Sequence, residues 1–69
     1  MTEIKAESDC VINYLCFKDG STVGGGDEIL QVEVMKMMYP VNTTVGGMIK
    51  YRVKQGDYVA TGQVLAEIV

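Results

Sequence analysis

The chain of 69 residues has no histidine and one proline, Pro40. Without histidine, Cys10 and Cys16 have no partner to complete a zinc site. A disulfide or metal pair is expected only if the segment that holds both is not one strand: read as one extended strand, it puts them roughly 20 Å apart at about 3.3 Å per residue, and bridging needs about 7 Å or less. Both are expected as free buried thiols, with no redox chemistry implied. Positive charge is also scarce. Six basic residues stand singly against nine acidic ones, a net charge of −3, so the basic stripe that a phosphate backbone requires is missing and no nucleic acid partner is expected. No apolar run approaches the roughly 20 residues of a membrane span, and Met1-Thr-Glu-Ile-Lys-Ala6 is too polar for a signal peptide. The expectation is a cytoplasmic protein with no membrane span.

What is present reads as a single domain over residues 1–69. A chain this short buries only about 60% of its unfolded surface, which leaves no room for a deep active site. Apolar residues make up 48% of it, with eight glycines marking turns, so a folded domain is expected rather than a disordered or Pro-rich linker. A weak internal repeat organises the chain. Shifted by 36 positions, Phe17-Lys-Asp-Gly-Ser-Thr-Val23 falls on Val53-Lys-Gln-Gly-Asp-Tyr-Val59, Gly26 on Gly62, and Ile29-Leu-Gln-Val32 on Leu65-Ala-Glu-Ile68. Each half reads as strand, K-x-G turn, apolar step, Gly turn, strand. The segments are rich in Val, Ile and Tyr, and none holds an amphipathic helical pattern for three turns.

An all-β fold follows, with strands near 3–6, 10–17, 28–33, 38–42, 47–53 and 63–69 and short steps near 21–24 and 57–60. Two small facing sheets would bury alternate residues. The expected core is Val11, Leu15, Phe17, Ile29, Val32, Ile49, Val53, Val59, Leu65 and Ile68.

The two halves meet in Val32-Glu-Val-Met-Lys-Met-Met-Tyr-Pro40, where one lysine stands among methionines. If the halves pair about an approximate two-fold axis, Lys36 lies on a tight turn at one end of the molecule. Glu33-Val-Met-Lys-Met-Met38, preceded by Gly26-Asp-Glu-Ile-Leu-Gln-Val32 and followed by Gly46-Gly-Met-Ile49 and Lys54-Gln-Gly-Asp57, resembles the biotinyl domain of biotin-dependent carboxylases and decarboxylases. The resemblance covers nearly the whole chain. It departs from the family pattern at Val34, where Ala is common, and in lacking the Ala-Pro steps, with Glu7 and Thr44 near those positions.

The resemblance implies a barrel-sandwich hybrid, a flattened barrel of two four-stranded antiparallel sheets with quasi-two-fold symmetry. It also implies covalent biotin on Lys36, attached by a biotin protein ligase. The module would carry a carboxyl group between a biotin carboxylase and a carboxyltransferase of an acyl-CoA or keto-acid carboxylase or decarboxylase, and would not be catalytic by itself. Lysine suits the role because it offers a primary amine on a flexible four-carbon stem. The ligase supplies the base that acylation needs, so the carrier needs no acid/base pair of its own. Met35 and Met37 would be adaptable apolar contacts for several partners, and Val34 and Glu33 possible points of ligase recognition. Two alternatives remain: a lipoyl carrier, whose lysine typically follows Asp and precedes Ala, and an unmodified structural module.

Other features have plainer readings. Gly24-Gly-Gly-Asp-Glu28 lacks the Lys-Ser or Lys-Thr and the helix of a phosphate loop, and reads as a turn. Tyr39, Tyr51 and Tyr58 read as core or rim residues. The pairs Asp27-Glu28 and Glu7 with Asp9 read as solvated acidic surface.

Overall fold

The computed structural model describes residues 1–69. Eight strands form and no helix: β1 (Thr2–Lys5), β2 (Cys10–Leu15), β3 (Thr22–Val23), β4 (Glu28–Val34), β5 (Met37–Asn42), β6 (Gly47–Tyr51), β7 (Tyr58–Val59) and β8 (Val64–Ile68). They build two antiparallel four-stranded sheets in the orders β1-β8-β6-β3 and β5-β4-β2-β7. This is the expected barrel-sandwich, and each half contributes strands to both sheets.

The 36-residue repeat is visible in the backbone hydrogen bonds. Ser21 N–H donates to the Lys18 carbonyl at 3.0 Å, and Asp57 N–H donates to the Lys54 carbonyl at 3.1 Å. The bond from Asp27 to Gly24 recurs from Gln63 to Ala60. Contacts between the halves also come in pairs: Gly20 N–H to Ile49 and Ile49 N–H to Ser21 correspond to Gly56 N–H to Ile12 and Ile12 N–H to Asp57. Even a side chain repeats, because the Asp27 carboxylate accepts from Gly24 N–H at 2.8 Å and the Gln63 amide oxygen from Ala60 N–H at 3.3 Å. Asp27 is thus a turn-closing residue rather than loose acidic surface. So is Asp9, whose carboxylate accepts from the N–H and the hydroxyl of Thr61; the backbone bond, then the hydroxyl, hold its carboxyl below the ordinary range.

The core comprises Ala6, Cys10, Ile12, Val23, Ile29, Leu30, Val32, Ile49, Val53, Val59, Leu65, Ala66 and Ile68. Val11 is a correction: it is 37% exposed, and Ile12 takes the inward position. The cause is an irregularity in the β2–β4 ladder between Ile12 and Tyr14. One extra residue in a strand sends every later side chain to the opposite face, so Cys10 and Ile12 point inward before it and Leu15 after it. Leu15 and Phe17 are half-buried at the core's margin rather than inside it. Another shift between Glu28 and Leu30 in the β4–β5 ladder buries the adjacent pair Ile29 and Leu30. Both cysteines are free, but only Cys10 is buried. Cys16 is half-exposed, its thiol donating to Glu28 at 3.5 Å, and burial first, then that bond, push the thiol up.

Tyr51 ties the two sheets together. Its hydroxyl donates to the Ile29 carbonyl at 2.7 Å and accepts from Phe17 N–H at 3.2 Å. Burial pushes the phenol up, and the Phe17 N–H offsets part of the effect. As pH climbs past the ordinary phenol value of about 10, the unfolded chain releases this proton first and the fold loses stability. Tyr51→Phe is expected to cost about 1–3 kcal/mol at neutral pH, since it leaves the Phe17 N–H without its partner and the Ile29 carbonyl with Cys16 N–H alone, and to flatten the alkaline loss. Urea unfolding at neutral pH and above about pH 10 checks both. An unchanged alkaline slope would place that loss on other groups.

Candidate functional site

The β4 and β5 strands pair in register from Gln31↔Pro40 through Val32↔Tyr39 and Glu33↔Met38 to Val34↔Met37. Only Met35 and Lys36 are left to close the hairpin. Both have positive φ, 51° and 66°. A two-residue loop with φ above zero at both positions is the type I′ turn, whose twist matches that of the flanking strands. Asn and Gly favour it; Met and Lys do not. Each non-glycine residue held in the left-handed region costs about 1–2 kcal/mol, so the strands on either side must hold the turn in place.

They are anchored to do so. Val32 is buried, and Val34 and Val41 pack against the core. The edge strand β5 also contains Pro40. Counting outward from the turn, Val34↔Met37 is a hydrogen-bonded pair and pairs alternate thereafter, which makes Gln31↔Pro40 a non-hydrogen-bonded one. The missing N–H of Pro40 would have pointed to the free edge. The ladder loses nothing, and the edge loses a donor that would be open to another strand.

The residues singled out in the sequence are thus brought to one place but not to one face. Lys36 stands at the apex, exposed, and enters neither of the two ion pairs, Lys5–Glu3 at 3.8 Å and Arg52–Glu67 at 2.9 Å. Met35 is 91% exposed beside it and Met37 is 59% exposed. Val34 and Met37 share the inner face of the hairpin with Val32 and Tyr39, and the Tyr39 hydroxyl lies 3.7 Å from the Met37 sulfur. Glu33 and Met38 share the outer face. Tyr39 and Tyr58 are exposed and Tyr51 is half-buried, so none of these three is a core residue.

Below the inner face a cleft of about 450 Å³ opens between β5 and the connection from β1 to β2. Val34, Tyr39 and Val41 form one wall, Ala6 lies across from them, and Lys5, Glu7 and Ser8 stand at the rim. The sequence reading missed this cleft because its walls come from distant segments of the chain, Ala6 standing 28 residues before Val34. The one available signal was the apolar alternation Met37, Tyr39, Val41 along β5.

Residues 2–68 match the family described as "Biotin-requiring enzyme". The chain belongs to the biotinyl/lipoyl domain family. A biotinylated protein TB7.3 homolog of Mycobacterium leprae is 31% identical over 67 residues, taking in 96% of this chain and 94% of that one. Acetyl-CoA carboxylase 1 of Arabidopsis thaliana is 25% identical over 97% of the chain, but the match spans only 3% of the carboxylase. Among solved structures, the urea carboxylase of Kluyveromyces lactis superposes with a TM-score of 0.89 at 28% identity, over 99% of this biotinyl/lipoyl domain and 6% of the enzyme. The lipoyl domain of the 2-oxoglutarate dehydrogenase complex of Azotobacter vinelandii reaches 0.78 at 21% identity, over 96% of this chain and 95% of that domain, and shares the fold alone.

Proposed function

We propose that Lys36 is the site of covalent biotin attachment by a biotin protein ligase. In this reading the domain carries a carboxyl group on that biotin between a biotin carboxylase and a carboxyltransferase acting on an acyl-CoA or keto acid. The observation that carries the reading is the placement of an unpaired lysine at the apex of a two-residue hairpin whose backbone disfavours both residues present. Such strain accompanies a position held for function more often than one left to chance. The match to a biotinylated relative of nearly the same length supports biotin as the cargo.

The residues present fit an attached group. The Lys36 amine is exposed at the tip, and an amide bond there removes a charge that no carboxylate of this chain neutralises. Biotin, once bound, supplies the nitrogen on which the carboxyl group travels. The chain itself supplies position. The β4–β5 ladder holds the amine out from the sandwich, Met35 and Met37 offer polarizable apolar contact to differently shaped partners, and Glu33 and Val34 present one carboxylate and one anchored side chain to a ligase. Tethering turns two bimolecular encounters into intramolecular ones, with effective concentrations in the millimolar range for short flexible links.

Intact-mass measurement after incubation with biotin protein ligase, biotin and ATP tests this. The expected result is the gain of one biotin by the native chain and none by Lys36→Ala. A chain that stays unmodified with biotin ligase but takes lipoate from a lipoyl ligase would sink the biotin reading, and one that takes neither would leave a structural module.

A further inference from the structure

The cleft beneath the hairpin lies within reach of whatever Lys36 carries. From Lys36, Tyr39 is three residues along β5 and Val41 five, about 10 and 17 Å at 3.3 Å per residue. A biotinylated lysine side chain of roughly ten bonds spans about 12 to 15 Å. Laid back along the hairpin's inner face, over Met37 and Tyr39, such an arm ends opposite Pro40 and Val41, where the cleft opens.

We propose that this cleft is a resting site for the ring system of biotin tethered at Lys36, an inference that rests on the carrier reading above. The walls match the ring's two characters. Val34, Tyr39, Val41 and Ala6 offer an apolar lining for the sulfur-containing ring. At the rim, the Glu7 carboxylate and Ser8 hydroxyl are acceptors for the ureido N–H groups, and the Lys5 ammonium is a donor for its carbonyl. The volume, about 450 Å³, lies at the lower end of the range for small-molecule pockets and exceeds what a two-ring group needs. Affinity can be weak. With a tether giving an effective concentration in the millimolar range, a ring with a dissociation constant near 1 mM spends half its time or more in the cleft. It also leaves readily when a partner with a better site arrives, so the arm alternates between a sheltered state and an extended one.

The test compares amide resonances of the ¹⁵N-labelled domain before and after ligase loading, with intact mass reporting the loading. If the cleft is the resting site, loading shifts Ala6, Glu7, Ser8, Tyr39 and Val41 as well as the residues at the turn. Tyr39→Ala, which removes one wall but leaves the lysine in place, should load normally and lose at least half of the shift at Ala6–Ser8. Ser8→Phe, a substitution at an exposed rim position, should abolish that shift by covering the mouth. Normal loading with shifts confined to Val34–Met38 overturns the resting site and leaves the carrier reading intact. Failure to gain mass overturns both. If either variant fails to fold, the comparison of loaded and unloaded native chain still decides.

Discussion

Replacing Met35-Lys36 with Asn-Gly is expected to raise the thermal unfolding midpoint while abolishing modification. Both native residues sit at φ 51° and 66°, in a region that Asn tolerates and Gly occupies without penalty. Asn-Gly is also the pair that type I′ hairpins favour. Relief of the two unfavourable conformations amounts to about 1–2 kcal/mol or somewhat more. For a domain of this size each kcal/mol raises the midpoint by roughly 4–8 °C. Circular dichroism melts of the native and Asn-Gly chains, alongside intact mass after ligase treatment, check both halves of the prediction. A midpoint equal to or below that of the native chain would show that the apex is not strained, and strain would then no longer mark Lys36 as a position held for function.

The expected gain identifies what the hairpin gives up. Nothing in the packing of β4 against β5 requires Met or Lys at the turn, since the anchoring is done by Val32, Val34 and Val41. The turn could be closed more stably by other residues. That it is closed by two residues the turn disfavours, one of them an exposed amine, is what the proposed attachment would require: a ligase would have to find the amine, and partners would meet it on a rigid tip.

This hairpin was legible from sequence because its cue is long-range but simple. The 36-residue repeat placed Lys36 between two halves, and the repeat survives in space as paired hydrogen bonds. The strand limits were legible for a related reason, since Gly or Asp marks every turn except that of Met35-Lys36. The faces of the strands were less so. Alternation assigns inward residues only while the pleat is unbroken, and β2, β4 and β8 each contain an irregularity. Val11 was therefore expected inside and is outside, while Leu30 and Ala66, each adjacent to another buried residue, were not expected inside at all. A bulge leaves no signature in a pattern of apolar and polar letters. The cleft was illegible for a third reason: it belongs to no single segment, and exists only where β5 passes the β1–β2 connection.

Gly47→Ala is expected to be the most damaging single-methyl change in the chain. Gly47 opens β6 opposite Val23, at φ 150°, and a Cβ built there would lie 2.5 Å from the Val69 carbonyl oxygen and 2.9 Å from Ile68 Cγ2. Neither obstacle can yield cheaply. The Val69 carbonyl accepts from Met48 N–H, and Val69 N–H donates back to the Met48 carbonyl, both at 2.9 Å; Ile68 is a core residue. Making room would separate β6 from the end of β8, where Ile49 pairs with Ile68. Overpacking of this kind costs about 1–3 kcal/mol and the unfavourable φ about 1–2 more. Against a total stability of roughly 3–10 kcal/mol for a chain of this length, the variant should lose about half of its stability. Gly20→Ala separates the two causes, because its φ of 89° is equally unfavourable while no atom lies within 4 Å of its added Cβ. It should cost only the conformational part, about 1–2 kcal/mol. Urea unfolding of the two variants against the native chain measures the difference. Equal destabilisation of Gly20→Ala and Gly47→Ala would mean that the close approach of Val69 to β6 contributes nothing, and that the β6–β8 seam has room for a methyl group after all.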